Sequence, residues 1–188
     1  MSGLRIISGT AKGMRIQAVP GDGTRPVTDR VKESLFNILA NDVRDTTWLD
    51  LFAGTGSIGI EALSRGATHV RFNEMNRQAI QTINSNLETT RLKTNGQVTQ
   101  GDAFNLLRSA PAQAYDYIYI APPQYKNMWS EALLMLDENP GWLSENGWVI
   151  VQIHPVEVKD MSLDNLEEID RRKYGSTMLV FYERKTAS

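Results

Sequence analysis

The segment Asp50-Leu51-Phe52-Ala53-Gly54-Thr55-Gly56-Ser57-Ile58-Gly59 constrains this chain more than any other. The apolar pair Trp48-Leu49 leads into an acidic residue, and three glycines follow with G-x-G-x-x-G spacing. The next stretch, Ile58 to Arg65, reads as a helix that stops at Gly66. Strand, glycine turn and helix together form the first unit of a nucleotide-binding α/β fold. Gly54 and Gly56 can take positive φ and let a ligand come close to the backbone, which a Cβ would obstruct. The same spacing also occurs in dinucleotide-binding dehydrogenases, so other parts of the chain must decide between the two.

From Thr46 onward, strand and helix patterns alternate. Strands are expected at 47–51, 69–74, 97–101, 115–120 and 147–153, with helices near 57–65, 76–92, 103–109 and 127–138. This alternation predicts a parallel sheet covered on both faces. Tyr117-Ile118-Tyr119-Ile120 is apolar on both faces and suits a central strand. Upstream, residues 4–19 read as a short hairpin, and Thr28 or Asp29 is placed to cap a helix reaching about Asn41. Downstream, 166–174 and 177–183 are joined by Gly175-Ser176, a hairpin signal. A dehydrogenase half would continue with another crossover helix. A mostly parallel sheet that ends in an antiparallel hairpin is the arrangement of S-adenosylmethionine-dependent methyltransferases, a Rossmann-like α/β fold. The expected organisation is an N-terminal extension over 1–45 packed on a methyltransferase domain over 46–188, the whole a single folding unit.

Composition narrows the function classes. The chain has no cysteine, which excludes a disulfide framework and a thiolate metal site. Its two histidines, His69 and His154, are too few and too widely spaced to suggest a metal. No apolar run approaches the roughly 20 residues of a membrane-spanning helix, and the first residues lack the apolar core of a signal peptide. A cytoplasmic monomer is the expectation. The net charge of -2 conceals an asymmetry. Residues 1–32 hold Arg5, Lys12, Arg15, Arg25, Arg30 and Lys32 against only Asp22 and Asp29. That excess predicts a basic face for an anionic partner such as RNA, although a solvated face without a partner would look the same.

Several polar residues fall at strand ends, where ligands bind in such folds. Asp50, at the end of the first strand, would repel a pyrophosphate but suit the ammonium and sulfonium of S-adenosylmethionine. The alternative is a carboxylate that braces the loop or an acid at the helix N-terminus. Glu74 ends the second strand, where a carboxylate can accept both ribose hydroxyls, or serve as an ordinary surface acid. Asp102, in Gly101-Asp102-Ala103-Phe104, could accept from an adenine amino group or cap a helix, and the two are compatible. Ala121-Pro122-Pro123-Gln124-Tyr125 follows the fourth strand. Its prolines remove two amide donors and leave carbonyls able to accept from a ligand, with Tyr125 as a stacking face. A plain Pro-Pro turn is the alternative.

Taken together, Asp50 to Gly56, Glu74, Gly101-Asp102-Ala103 and the Pro-Pro-x-Tyr segment resemble a Rossmann-type N-methyltransferase. The front end, Arg5-Ile6-Ile7-Ser8-Gly9 and Arg25-Pro26-Val27-Thr28-Asp29-Arg30-Val31-Lys32-Glu33-Ser34-Leu35-Phe36-Asn37-Ile38-Leu39, is similar to the RsmD family. The resemblance implies S-adenosylmethionine-dependent methylation of a guanine N2 amine in small-subunit ribosomal RNA. It implies cofactor contacts from Asp50, Phe52, Ala53, Gly54, Gly56, Glu74, Met75, Asp102 and Ala103. Ala121, Pro122, Pro123, Gln124 and Tyr125 would form the amine pocket, and Arg5, Lys12, Arg15, Arg25 and Arg30 would contact RNA, either naked or in an assembling subunit. The chain departs from the family at one place. Ala121 stands where the family has the aspartate of Asp-Pro-Pro-Phe/Tyr, and the aromatic is displaced from 124 to Tyr125. That departure keeps open a catalytically impaired binder of RNA or S-adenosylmethionine, and an N-methyltransferase of another RNA or DNA amine. An oxidoreductase rests on the glycine spacing alone.

Overall fold

A computed structural model describes residues 3–21 and 26–187. The chain divides into two compact units, with the boundary between Asp102 and Ala103. In the first unit, Leu4 to Ile6 runs antiparallel to Met14 to Ile16, with Ile6 N–H donating to the Met14 carbonyl at 2.9 Å and Ile16 N–H to Leu4 at 2.9 Å. The expected hairpin is thus reduced to one bridge, Arg5 opposite Arg15, because a tight turn occupies most of its length. Gly9 (φ 86°) allows that turn to press on a helix, since a Cβ there would lie 1.8 Å from the Ser64 carbonyl oxygen.

Helix α1, Asp29–Leu39, starts where Thr28 accepts from the Val31 N–H, so Thr28 rather than Asp29 is the cap. Val31, Leu35, Phe36 and Leu39 form its buried face, at the spacing an amphipathic helix requires. Strands β1 (Thr47–Asp50), β2 (His69–Glu74) and β3 (Gly96–Gln100) pair in parallel in the order β3-β2-β1. They alternate with α2 (Ser57–Ser64) and α3 (Arg77–Thr90), the latter capped by Asn76. Every residue of α2 is buried. The third glycine of the motif, Gly59, explains how: a Cβ there would meet the Phe72 ring at 2.3 Å, so only glycine lets α2 lie this close to β2.

The second unit contains α4 (Ala103–Arg108), β4 (Tyr115–Ile120), α5 (Met128–Glu138), β5 (Leu143–Ile153), β6 (Leu166–Tyr174) and β7 (Thr177–Arg184). Its strands lie in the order β4-β5-β7-β6; β4 and β5 are parallel, and β5-β7-β6 is antiparallel. Tyr117 to Ile120 is buried throughout, as a central strand must be. Strand β5 begins at Leu143 rather than 147, because Leu143 pairs with Tyr115 ahead of a register shift that the pattern of Ser144-Glu145-Asn146-Gly147 disguises. The hairpin turns at Gly175 with φ 58°. The parallel strands and closing hairpin are those of the methyltransferase class of Rossmann-like folds. No helix among the described residues is long and apolar enough to cross a membrane.

Candidate functional site

In the first unit the polar residues singled out above gather at the C-terminal ends of β1, β2 and β3. Gly54 and Gly56 both adopt left-handed backbone, φ 56° and 79°. A Cβ built on Gly54 meets nothing within 4 Å, so at this position the glycine serves its φ, and no packed neighbour demands it. Glu74 is half-buried, and its carboxylate accepts three backbone N–H groups: Gly54 at 2.8 Å, Met75 at 3.0 Å and Asn76 at 3.0 Å. The acid at the end of β2 therefore fixes the glycine loop as well as facing it. Asp50 is only 2% exposed. Burial, and after it the charge of Glu74, pushes its carboxyl up to about 7, against the opposing pull of the Gly59 N–H.

Two asparagines that sequence reasoning missed hold this arrangement. Asn73, buried in β2, donates through Nδ2 to the carbonyls of Leu51 (3.3 Å) and Gly101 (3.2 Å), tying together the ends of three strands. Asn86, buried on α3, donates to the Thr55 carbonyl at 2.9 Å and to Gln17 at 3.0 Å, and accepts from Gln17 N–H at 2.7 Å. The signal was an amide among the apolar positions of each element: Asn73 follows Phe72, and Asn86 lies beside Ile83 and Leu87. Around this frame Phe52 is half-buried, Ala53 is buried and Met75 is 64% exposed. Asp102 is half-buried just beyond Gly101, whose N–H donates to the Glu74 carbonyl at 3.0 Å. Ala103, buried, opens α4 of the second unit.

In the second unit, the loop after β4 leaves Ala121 and Pro122 half-buried and Pro123, Gln124 and Tyr125 exposed. Tyr125 has φ 64°, an uncommon conformation for an aromatic residue. Its N–H donates to Glu157 Oε1 at 2.9 Å, and Glu157 Oε2 accepts the His154 N–H at 3.1 Å. His154 Nδ1 in turn accepts from Val156 N–H at 3.2 Å, and the His154 ring lies 5.8 Å from that of Tyr125, tilted by 43°. Nothing in the sequence marked Glu157 or placed His154 beside this loop, since both contacts span about thirty residues.

The family described as Conserved hypothetical protein 95 matches residues 4–183. YlbH of Bacillus subtilis is 39% identical over 185 residues, spanning 97% of this chain and 100% of its own. A Haemophilus influenzae protein named Ribosomal RNA small subunit methyltransferase D is 33% identical over 95% of this chain and 91% of its own. The chain belongs to the RsmD family. Among solved structures, Escherichia coli yhhF superposes with a TM-score of 0.83 at 31% identity, covering 97% of this chain and 98% of that one.

The charges of the basic N-terminal segment are distributed unevenly. Lys12, Arg15 and Arg30 are exposed. Arg5 is also exposed, but its Nε bonds Asp29 at 2.9 Å. Arg25 lies outside the described residues. Lys32 does not belong to a surface patch. It is 1% exposed and donates to the Arg5 carbonyl at 2.6 Å and Ser57 Oγ at 3.1 Å, because α1 turns it toward the glycine-loop helix. Arg5 and Arg15 are paired across the bridge. Like charges placed opposite one another are unfavourable in isolation and favourable toward a polyanion.

Proposed function

We propose that this chain is an S-adenosylmethionine-dependent methyltransferase of ribosomal RNA, acting in the cytoplasm on the N2 amine of a guanine in the small subunit. The observation that carries the reading is the Glu74-braced glycine loop beside buried Asp50, in a chain whose relatives include one named for small-subunit ribosomal RNA methyl transfer. In this reading Asp50 holds the ammonium end of the cofactor and Glu74 its ribose hydroxyls. Asp102 meets the adenine amine, while Phe52, Ala53, Met75 and Ala103 flank the cofactor. The guanine amine donates to the Pro122 carbonyl, stacks its ring on Tyr125, and attacks the S-methyl carbon in line. The sulfonium is already an activated leaving group, so positioning supplies most of the acceleration. Arg5, Lys12, Arg15, Arg25 and Arg30 meet phosphates, and residues 1–45 fold as one unit with the rest.

The direct test is transfer of labelled methyl groups to deproteinised small-subunit RNA and to assembly particles, with mapping of the modified nucleotide. Product on neither substrate, or product on an atom other than guanine N2, rejects this reading. Ala121 favours a second one, a cofactor and RNA binder that lacks turnover, and the same assay separates it.

Two expectations concern the cofactor. Glu74→Ala should weaken S-adenosylmethionine binding by roughly tenfold to a hundredfold, the loss of charge-assisted bonds of about 1.5–3 kcal/mol. Calorimetry giving an unchanged affinity would remove Glu74 from the ribose site. Asp50 makes binding pH-dependent. Its carboxyl, raised to about 7, must be ionised to hold an ammonium. Affinity should therefore rise close to tenfold per pH unit from about pH 5 and level off near 7, an interval in which the cofactor's α-amino group stays charged. Asp50→Asn should flatten the profile. A wild-type affinity independent of pH over this interval contradicts the role.

A further inference from the structure

We propose that the Pro155–Glu157 turn is a specificity-determining part of the base site: Glu157 sets the stance of Tyr125, and His154 Nε2–H reads the O6 carbonyl of a guanine stacked there. The inference rests on the guanine reading above and deepens it, because nothing in the amine pocket itself distinguishes guanine from another purine bearing the same amine.

Three observations carry it. Tyr125 is 64% exposed yet held in left-handed backbone at φ 64°. Such strain persists only where the surroundings impose it. The imposing group is the Glu157 carboxylate, which takes the Tyr125 N–H at 2.9 Å and the His154 N–H at 3.1 Å, so one side chain fixes both ring-bearing residues. The third observation is the tautomer. His154 Nδ1 accepts from the Val156 N–H at 3.2 Å, so a neutral imidazole must carry its proton on Nε2. His154 is therefore a fixed donor, tilted 43° to Tyr125 with 5.8 Å between ring centres. That spacing is too short for a base to slide between the rings, so in this proposal a purine stacked on Tyr125 extends past the ring edge, where the His154 donor meets it. Guanine offers an acceptor there in O6, where adenine offers an amine donor. O6 and N2 lie on either side of N1, so a protein group on O6 leaves the amine accessible. Val156, 72% exposed at the tip of the turn, adds apolar surface beside the base.

The test uses labelled single-stranded pentaribonucleotides of uridine with a central guanine or a central 2-aminopurine. 2-Aminopurine keeps the N2 amine and lacks O6. By fluorescence anisotropy the full chain should bind the guanine oligonucleotide about fivefold more tightly, the usual worth of one hydrogen bond. His154→Phe keeps a ring and loses the donor, and should bring the ratio near one. His154→Asn can still accept the Val156 N–H and donate outward, and should restore part of the preference. Glu157→Gln keeps one acceptor and loses the other, so it should weaken binding of both oligonucleotides and also lower the guanine preference, since the carboxylate holds Tyr125 and His154 alike. A purely structural His154 would shift both affinities equally. The proposal is overturned if the wild type shows no preference or binds neither oligonucleotide, or if His154→Phe leaves the ratio unchanged. Methyl transfer to small-subunit RNA is scored separately on the same preparations. Transfer without guanine preference overturns the His154 assignment alone, whereas preference without transfer supports it and counts against the methylation reading.

Discussion

Glu61→Ala is expected to destabilise the protein by about 3–5 kcal/mol, the usual consequence of stripping one partner from a buried ion pair. Glu61 lies on α2 and is fully buried. Its carboxylate accepts Ile7 N–H at 2.8 Å and Ser8 N–H at 3.4 Å, and it stands 3.9 Å from Lys32 Nζ and 3.7 Å from Arg65 Nε. Alanine would leave two N–H donors of the N-terminal segment without their acceptor, and a buried ammonium without its counter-charge. Lys32 makes the second loss severe. Burial already lowers its pKa, and Glu61 is the first of the charges that hold it up. In the variant the folded chain binds the Lys32 proton less firmly than the unfolded chain does. Part of the lost stability should therefore return as pH rises toward 10.5, the ordinary lysine value. Urea unfolding at neutral pH, read as a change in midpoint at constant slope, measures the effect. Pairing the change with Lys32→Met should recover a large part of it, since the stranded charge goes too. A loss below about 1 kcal/mol, in the range of an exposed pair, would mean that water reaches this site.

The Glu61 cluster also marks where sequence reading stops. The strands, the glycine loop, the crossover helices and the closing hairpin were legible, because each is written in local periodicity and turn chemistry. His69–Glu74 and Tyr115–Ile120 fall at the expected bounds. The early start of β5 was hidden because Ser144-Glu145-Asn146 lacks an apolar alternation, and its pairing with β4 supplies what the pattern does not. Lys32 was read as part of a charged face, since a lysine in an amphipathic helix is ordinarily exposed. Its burial depends on an acid 29 positions later and on Ser57. Glu157, His154, Asn73 and Asn86 escaped for the same reason: each acts across a long sequence separation, and no spacing rule reaches that far. The acids at the strand ends were legible because their place in the strand–loop–helix unit identifies them without knowledge of their partners.

Ala121→Asp is expected to accelerate methyl transfer by about a hundredfold to a thousandfold, the usual worth of one group that bonds the transition state. A guanine N2 lone pair is delocalised into the ring and is a poor nucleophile. Two acceptors on its N–H bonds localise the pair toward the methyl carbon; in the proposed reading the Pro122 carbonyl is one, and the alanine side chain supplies no second. Ala121 is half-buried at the end of β4, so an aspartate there would be partly shielded from water, where a charge-assisted bond gains strength. Gln124 could lend its side-chain carbonyl, but it is exposed, and ordering a long, freely rotating side chain costs part of what its bond returns. Gln124→Ala should accordingly slow the wild type and have little effect in the Ala121→Asp background. Cofactor affinity should remain close to wild type in all three proteins, since neither residue belongs to the glycine-loop site. Single-turnover rates on one RNA, with cofactor affinity measured in parallel, decide the matter. If Ala121→Asp gives no gain while the wild type already turns over quickly, a second acceptor does not limit the reaction. The amine would then be activated by a group of the RNA or by the backbone alone.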